Sequence, residues 1–409
     1  MSPSSSSRAS DWRTPGLVIF SACVIALLAF GPRSSLGFFL QPMSLEKGWG
    51  RDIFAFAFAI QNLLWGAAQP FAGAMADRFG APIVICVGTS LYAAGLALMG
   101  YANSPHMLDL TIGGLIGFGL SGCSFNLVVS SLGKLVPENM RPFAFGAGTA
   151  AGSFGQFLFS PLAVYLIGSY GWHTALLVFA GLLMLILPMS LMLSTGKTAA
   201  TASAPAQSLK SALVEAFSHR SYVLLVLGFF TCGFQLAFVT VHLPSYLVDR
   251  GLDVKIGGWV LAVIGLFNIV GSLGSGWLSS RMPMRYILAG IYFTRAIAVV
   301  LFVSLPMSPA SALAFGMVTG LMWLSTVPPT SGLVLRMFGT RWLAMLFGFA
   351  FFSHQVGGFL GVWLGGLAFE RTGSYDAVWW LAVLFGLLSA IINLPIVEKP
   401  VVRASTATA

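Results

Sequence analysis

From Gly16 to Met43 the chain reads GLVIFSACVIALLAFGPRSSLGFFLQPM, an apolar run long enough to cross a bilayer that carries Gly31-Pro32-Arg33 past its middle. A spanning helix needs about 20 mostly apolar residues. Runs of that kind recur to the end of the sequence: 57% of the 409 residues are hydrophobic and only 8% are charged. A soluble domain carries roughly 25% charged residues, so this chain has too little polar surface to fold in water. The runs are continuous rather than alternating, which excludes a transmembrane β-barrel. The composition therefore gives an all-α polytopic membrane protein.

Turn residues and charges divide the apolar sequence into twelve expected spans, near 16–40, 53–72, 82–101, 107–132, 142–168, 172–193, 221–247, 256–279, 285–305, 311–335, 342–368 and 376–397. The one long polar interruption inside the chain is STGKTAATASAPAQSLKSALVEAFSHR. The expected organisation is a disordered N-terminus (1–15), a six-helix bundle (16–193), a linker (194–220), a second six-helix bundle (221–397) and a tail (398–409).

The net charge of +9 follows the loops rather than a nucleic-acid surface. Lys47, Arg51, Arg250, Lys255 and Arg371 fall on one side of the expected membrane and Arg33 and Arg295 within spans, leaving fourteen of the 21 Lys and Arg on the side of the N-terminus. Basic loops stay inside, so both termini are expected in the cytoplasm of a multi-pass protein of the bacterial inner membrane. Cys23, Cys86, Cys123 and Cys232 all lie in apolar runs, without metal spacing or a disulfide framework. No metal, cofactor or nucleic-acid partner is expected, and the protein is expected to be monomeric.

The two halves echo each other. Gly73-Ala-Met-Ala-Asp77-Arg78-Phe-Gly80 follows span 2, and Gly276-Trp-Leu-Ser-Ser280-Arg281 follows span 8 in the same frame without the acid. Arg141-Pro-Phe-Ala-Phe-Gly146 and Arg341-Trp-Leu-Ala-Met-Leu-Phe-Gly348 open spans 5 and 11. Repeats of this size are how many transporters build two halves around a central site. The Gly73/Asp77/Arg78/Gly80 loop in a six-plus-six layout resembles the major facilitator superfamily, departing from its pattern where Ala81-Pro82 replace basic residues. Within it, Arg33-Ser-Ser-Leu-Gly37-Phe, Gly48-Trp49, Gln61-Asn62, Gln69-Pro70, His242-Leu-Pro and Ser353-His354-Gln355-Val-Gly357 are similar to bacterial relatives of monocarboxylate and oxalate/formate porters. The resemblance implies two pseudo-symmetric bundles, a cavity lined by spans 1, 4, 7 and 10, and a gating role for Gly73, Asp77, Arg78 and Gly80. It does not carry over the Asp/Arg pair that animal monocarboxylate carriers place in span 8, where this chain has Asn268 and Ser272.

The charges inside the spans point to the cargo. All twelve acidic residues lie in loops, tails or span ends, whereas Arg33 and Arg295 lie within spans. A charge at that depth costs at least about 2.5 kcal/mol and is kept for a partner or a ligand. An organic anion supplies the missing charge, and the planar guanidinium suits a carboxylate. Candidate substrate contacts are Arg33, Asn126, Gln235, His354 and Arg295; the alternatives are a structural or gating role for Arg33, interhelical hydrogen bonds for Asn126 and Gln235, and helix-end carbonyls or Asn268 as partners of Arg295. His242 and His354 are the intramembrane groups able to titrate near neutrality and are the candidates for proton coupling, interhelical hydrogen bonds being the alternative. Val327-Pro328-Pro329-Thr330 is expected to break the ladder of span 10. The function these readings give is not enzymatic. It is secondary active transport of a small organic anion, a monocarboxylate, by alternating access with proton symport. A drug or metabolite exporter of the same fold is the alternative, and a membrane sensor or enzyme a more distant one.

Overall fold

A computed structural model describes residues 14–124, 127, 128, 131, 132, 135–194, 209–339 and 343–401, without the side chains of Asp77, Glu138, Pro142, Leu209 and Ala344. Among them there is no strand. The helices are α1 Pro15–Ser34, α2 Gly37–Lys47, α3 Arg51–Phe79, α4 Ala81–Met99, α5 Pro105–Leu108 (running through a π-helical Asp109–Ile116 into α6 Gly117–Gly122), α7 Arg141–Met184, α8 Ile186–Ser190, α9 Leu209–Ser218, α10 Arg220–Asp249, α11 Val254–Ser279, α12 Met284–Ser304, α13 Pro309–Met322, α14 Val327–Phe338, α15 Leu343–Thr372 and α16 Asp376–Asn393. Most of the expected linker lies outside the described residues, and α9 falls at its end.

Nine helical segments among the described residues are long and apolar enough to cross a membrane. One of them, 143–193, turns back at Gly171, whose φ of 80° and ψ of 159° interrupt the helix. Phe159 and Phe179, on opposite sides of that turn, meet at 5.2 Å between ring centroids. The segment is thus two crossings, and α3 and the run from Pro105 to Gly122 supply two more, which restores the twelve read from sequence.

Local chemistry explains where the spans break. In span 1 Pro32 cannot donate to the preceding turn, Ser35 N reaches Pro32 O (3.0 Å), and the Ser34 and Ser35 hydroxyls take the carbonyl of Gly31 (2.7 and 3.2 Å). The helix therefore tightens and ends beside Arg33, then restarts as α2. Span 10 stops at Met322 and restarts at Val327. Pro328 and Pro329 sit in the first turn of α14, where a missing N–H costs nothing. The prolines thus begin a helix instead of bending one, and the break lies just before them.

Three seams join the halves: α3 with α15, α7 with α11, and α2 with α10. Along the first, Gly366 lies on Ala55, Gly358 on Asn62 and Gly66 on Gln355. Along the second, Gly258 lies on Val164 and Gly265 on Ser153 and Phe157. Further along the same helices, Gly73, Gly146, Gly274 and Gly348 have nothing within 4 Å of an added Cβ. Among the described residues the halves are thus pressed together from the Arg51 end to mid-height and part below it, closed at one end and open at the other.

Candidate substrate site

Where the seams part lies a cavity of about 250 Å³ lined by both halves. Arg33, Asn62, Trp65, Ser124, Ser153 and Gln156 come from the first half, and Thr240, Ser272, Trp323, Phe351, His354 and Gln355 from the second. Aromatic rings fill much of the remaining wall, with Phe30, Phe229 and Phe347 among them. No Asp or Glu lines it among the described residues. A separate, larger groove of about 550 Å³ between α3, α4 and α6 is lined almost wholly by apolar groups such as Phe71, Met75, Ile83 and Phe118, and lacks any convergent polar group to orient a ligand.

Arg33 dominates the cavity. Its Nη2 donates to Asn62 Oδ1 (2.8 Å), its guanidinium carbon lies 4.5 Å from the Trp65 ring centre, and its Nε has no partner among the described residues. The Asn62 amide is itself oriented, because Nδ2 donates to Phe58 O (2.9 Å) one turn earlier. The cation is held by a neutral amide and an aromatic face, and no described residue compensates its charge. Trp65 meets Phe351 edge-on at 5.4 Å, Phe351 stacks on His354 (5.8 Å, 9° between planes), and His354 meets Phe229 at 5.0 Å. A continuous aromatic path thus runs from Arg33 in one half to Phe229 in the other.

The other residues singled out from sequence go elsewhere. Arg295 is buried away from the cavity lining, donating through Nη2 to the carbonyls of Met322 and Trp323 and through Nη1 to Gln235 Oε1 (3.4 Å). Gln235 donates in turn to Ala382 O (2.9 Å). Arg295 therefore caps the C-terminal carbonyls of α13, the end of a helix where a cation is favoured. Asn268 and Ser275 secure the same break, Asn268 Oδ1 accepting from Leu324 N (2.9 Å) and Ser275 Oγ donating to Ser325 O (2.5 Å). Asn268 also donates across the seam to Ser153 Oγ (2.8 Å). His242 is fully buried outside the lining, its Nε2 2.8 Å from Val362 O and its ring against Phe238 and Tyr375. His354 does line the cavity, with Nδ1 3.1 Å from Gln355 Oε1. Asn126 lies outside the described residues. Gly73, Arg78 and Gly80 sit at the open end. Gly80 has a φ of 94° that L side chains rarely adopt, and Arg78 is exposed beside the Phe79 ring (5.2 Å), while the side chain of Asp77 is outside the described residues.

The closed end holds a second arginine that sequence reading counted only as a loop charge. Arg51, the first residue of α3, makes a bidentate pair with Asp249 at the end of α10 (2.5 and 2.8 Å) and donates to Tyr375 Oη (3.0 Å). Its guanidinium carbon lies 3.8 Å from the Phe369 ring centre. Glu370 Oε1 accepts from Arg51 N (2.7 Å), a carboxylate on a helix N-terminus. Every one of these partners belongs to the opposite half, so the cluster is an ionic clasp across the closed end.

With this architecture in place, comparison with known proteins decides the family. The family model described as "Major Facilitator Superfamily" matches residues 22–362. The chain belongs to that superfamily. It is similar to the uncharacterized MFS-type transporter YcxA of Bacillus subtilis (strain 168), at 27% identity over 95% of this chain and 96% of that protein. It is also similar to monocarboxylate transporter 13 of Rattus norvegicus, at 27% identity over 93% of this chain and 88% of that protein. Among solved structures, a mutant of the nucleoside transporter NupG superposes with a TM-score of 0.74 at 15% identity, covering 93% of this chain and 99% of that one. A D-xylose-proton symporter gives a TM-score of 0.67 at 14% identity, covering 95% and 98%. These structural likenesses concern the superfamily fold, and the chain is a transporter of that fold.

Proposed function

We propose that this superfamily member carries a small organic anion, a monocarboxylate, by alternating access, with Arg33 as the counter-charge and His354 as a second contact. The observation that carries the reading is the Arg33 guanidinium lining a cavity with no carboxylate among its described residues. One cation balances one carboxylate, and the aromatic path from Trp65 to Phe229 suits an apolar remainder. The names of relatives such as the rat monocarboxylate transporter support the same class. The basic-residue asymmetry of the loops supports both termini, and with them the open end, facing the cytoplasm of a bacterial inner membrane. The aromatic wall also favours a second reading, export of a larger apolar metabolite or drug.

Proteoliposomes enclosing a pH-sensitive dye separate the two. Saturable uptake of lactate or benzoate with acidification of the interior is expected, and neither succinate nor a lipophilic cation is expected to compete. Uptake without a pH change indicates uniport or exchange. Competition by the cation, with no carboxylate transported, refutes the anion reading. Replacing His354 with Gln is expected to slow proton-coupled uptake about 100-fold, the low end of what a positioned proton carrier contributes, while anion exchange falls only by the several-fold of one weakened neutral contact.

A further inference from the structure

We propose that Asn62 is the specificity-determining residue of the cavity: it orients the Arg33 guanidinium without neutralising it, and so keeps the site open to an anion. The inference rests on the reading of Arg33 as the substrate's counter-charge. Asn62 is buried on α3, with its carbonyl oxygen 2.8 Å from Arg33 Nη2 and its amide nitrogen 2.9 Å from Phe58 O. The second bond settles which end of the amide faces the arginine, because only the nitrogen can donate to Phe58 O. Trp65 covers the guanidinium at 4.5 Å, fixing its plane. One donor edge is therefore engaged by a neutral acceptor and one face by an aromatic ring. Nε is without a partner among the described residues, and no described acid lines the cavity.

Asp has nearly the shape of Asn but no N–H for Phe58 O, so its second oxygen must turn away from that carbonyl. Its other oxygen can then take Arg33 in a permanent charge-assisted pair. An incoming anion then has to displace a resident one. Neutral Asn is the residue that holds the fork and leaves its charge for the cargo.

The test compares Asn62→Asp, Asn62→Ala and Arg33→Gln in the full-length protein, reading lactate and benzoate uptake in proteoliposomes and the melting temperature of the ligand-free protein in detergent. Asn62→Asp is expected to lower uptake at least about 100-fold, the scale of competing with a buried ion pair. Its ligand-free melting temperature is expected to stay at or above that of the wild type, since the partner gained by the buried charge offsets the lost bond to Phe58 O. Asn62→Ala keeps the charge free and loses only its aim, so KM is expected to rise several-fold with uptake retained. Loss of uptake with a lowered melting temperature in Asn62→Asp marks a packing role and overturns the proposal, as does wild-type uptake in that variant. If Arg33→Gln transports normally, the anion reading itself fails. If Arg33→Gln is inactive and Asn62→Asp is not, only the role of Asn62 falls.

Discussion

Arg33→Gln is expected to cut anion uptake by about 100- to 4000-fold, because losing one partner of a buried ion pair costs about 3–5 kcal/mol at 1.4 kcal/mol per decade. The protein is expected to remain inserted and folded. Arg33 has no acidic partner among the described residues, so its removal strands no carboxylate, and Gln still offers a donor to Asn62 Oδ1. Arg33→Lys keeps the charge but loses the planar fork, so an intermediate rate is expected. Uptake rates in proteoliposomes, set against elution volume and melting temperature in detergent, check all three statements. Wild-type rates in Arg33→Gln would remove the central claim.

Arg51→Met is expected to release the closed end. Its pair with Asp249, the bond to Tyr375 and the ring contact with Phe369 all connect one half to the other. The two side chains are largely buried, 11% exposed for Arg51 and 27% for Asp249, so solvent screens the pair less than it would a surface one. Removing the arginine leaves Asp249 enclosed without a counter-ion. Hydration of that acid favours the separated state, by about 3 kcal/mol or a ratio of about 100 on the buried-pair scale. A cysteine placed at Thr149, a partly exposed residue of the cavity wall, gives a reporter. A membrane-impermeant thiol reagent applied from the Arg51 side is expected to label it in Arg51→Met and not in the wild type. Combining Arg51→Asp with Asp249→Arg is expected to restore protection. Protection that survives Arg51→Met would show that the seam packing alone closes that end.

The twelve crossings were legible because each must be continuous and apolar to satisfy its backbone within the bilayer, and that demand is written in residue type alone. The break in span 1 was not legible, since it depends on the Ser34 and Ser35 hydroxyls taking the Gly31 carbonyl. Arg33 stood out by charge, and its place on a cavity helix followed from the resemblance. Arg295 stood out for the same reason, but its fate depended on helix rotation, which no single sequence fixes. It turned toward the ragged end of α13. Asn62 was visible only as one of two adjacent amides, Gln61 and Asn62, and nothing in the run says which faces the arginine. Arg51 was hidden by a correct rule, since charges at span ends usually meet water. Asp249 lies 198 positions away in sequence, and its approach follows only from how the halves close.

The bare guanidinium of Arg33 also bears on energetics across the membrane. Moving one elementary charge through a membrane potential is worth about 2.3 kcal/mol per 100 mV. An empty carrier presents this cation alone, a bound carboxylate cancels it, and a proton carried in with the anion restores it. The empty and the fully loaded protein therefore bear the same charge, and a complete cycle moves none across the membrane. In vesicles polarised with a potassium ionophore, the extent of net lactate uptake is expected to follow the pH gradient and to ignore the imposed potential; accumulation that follows the potential would show that no proton accompanies the anion.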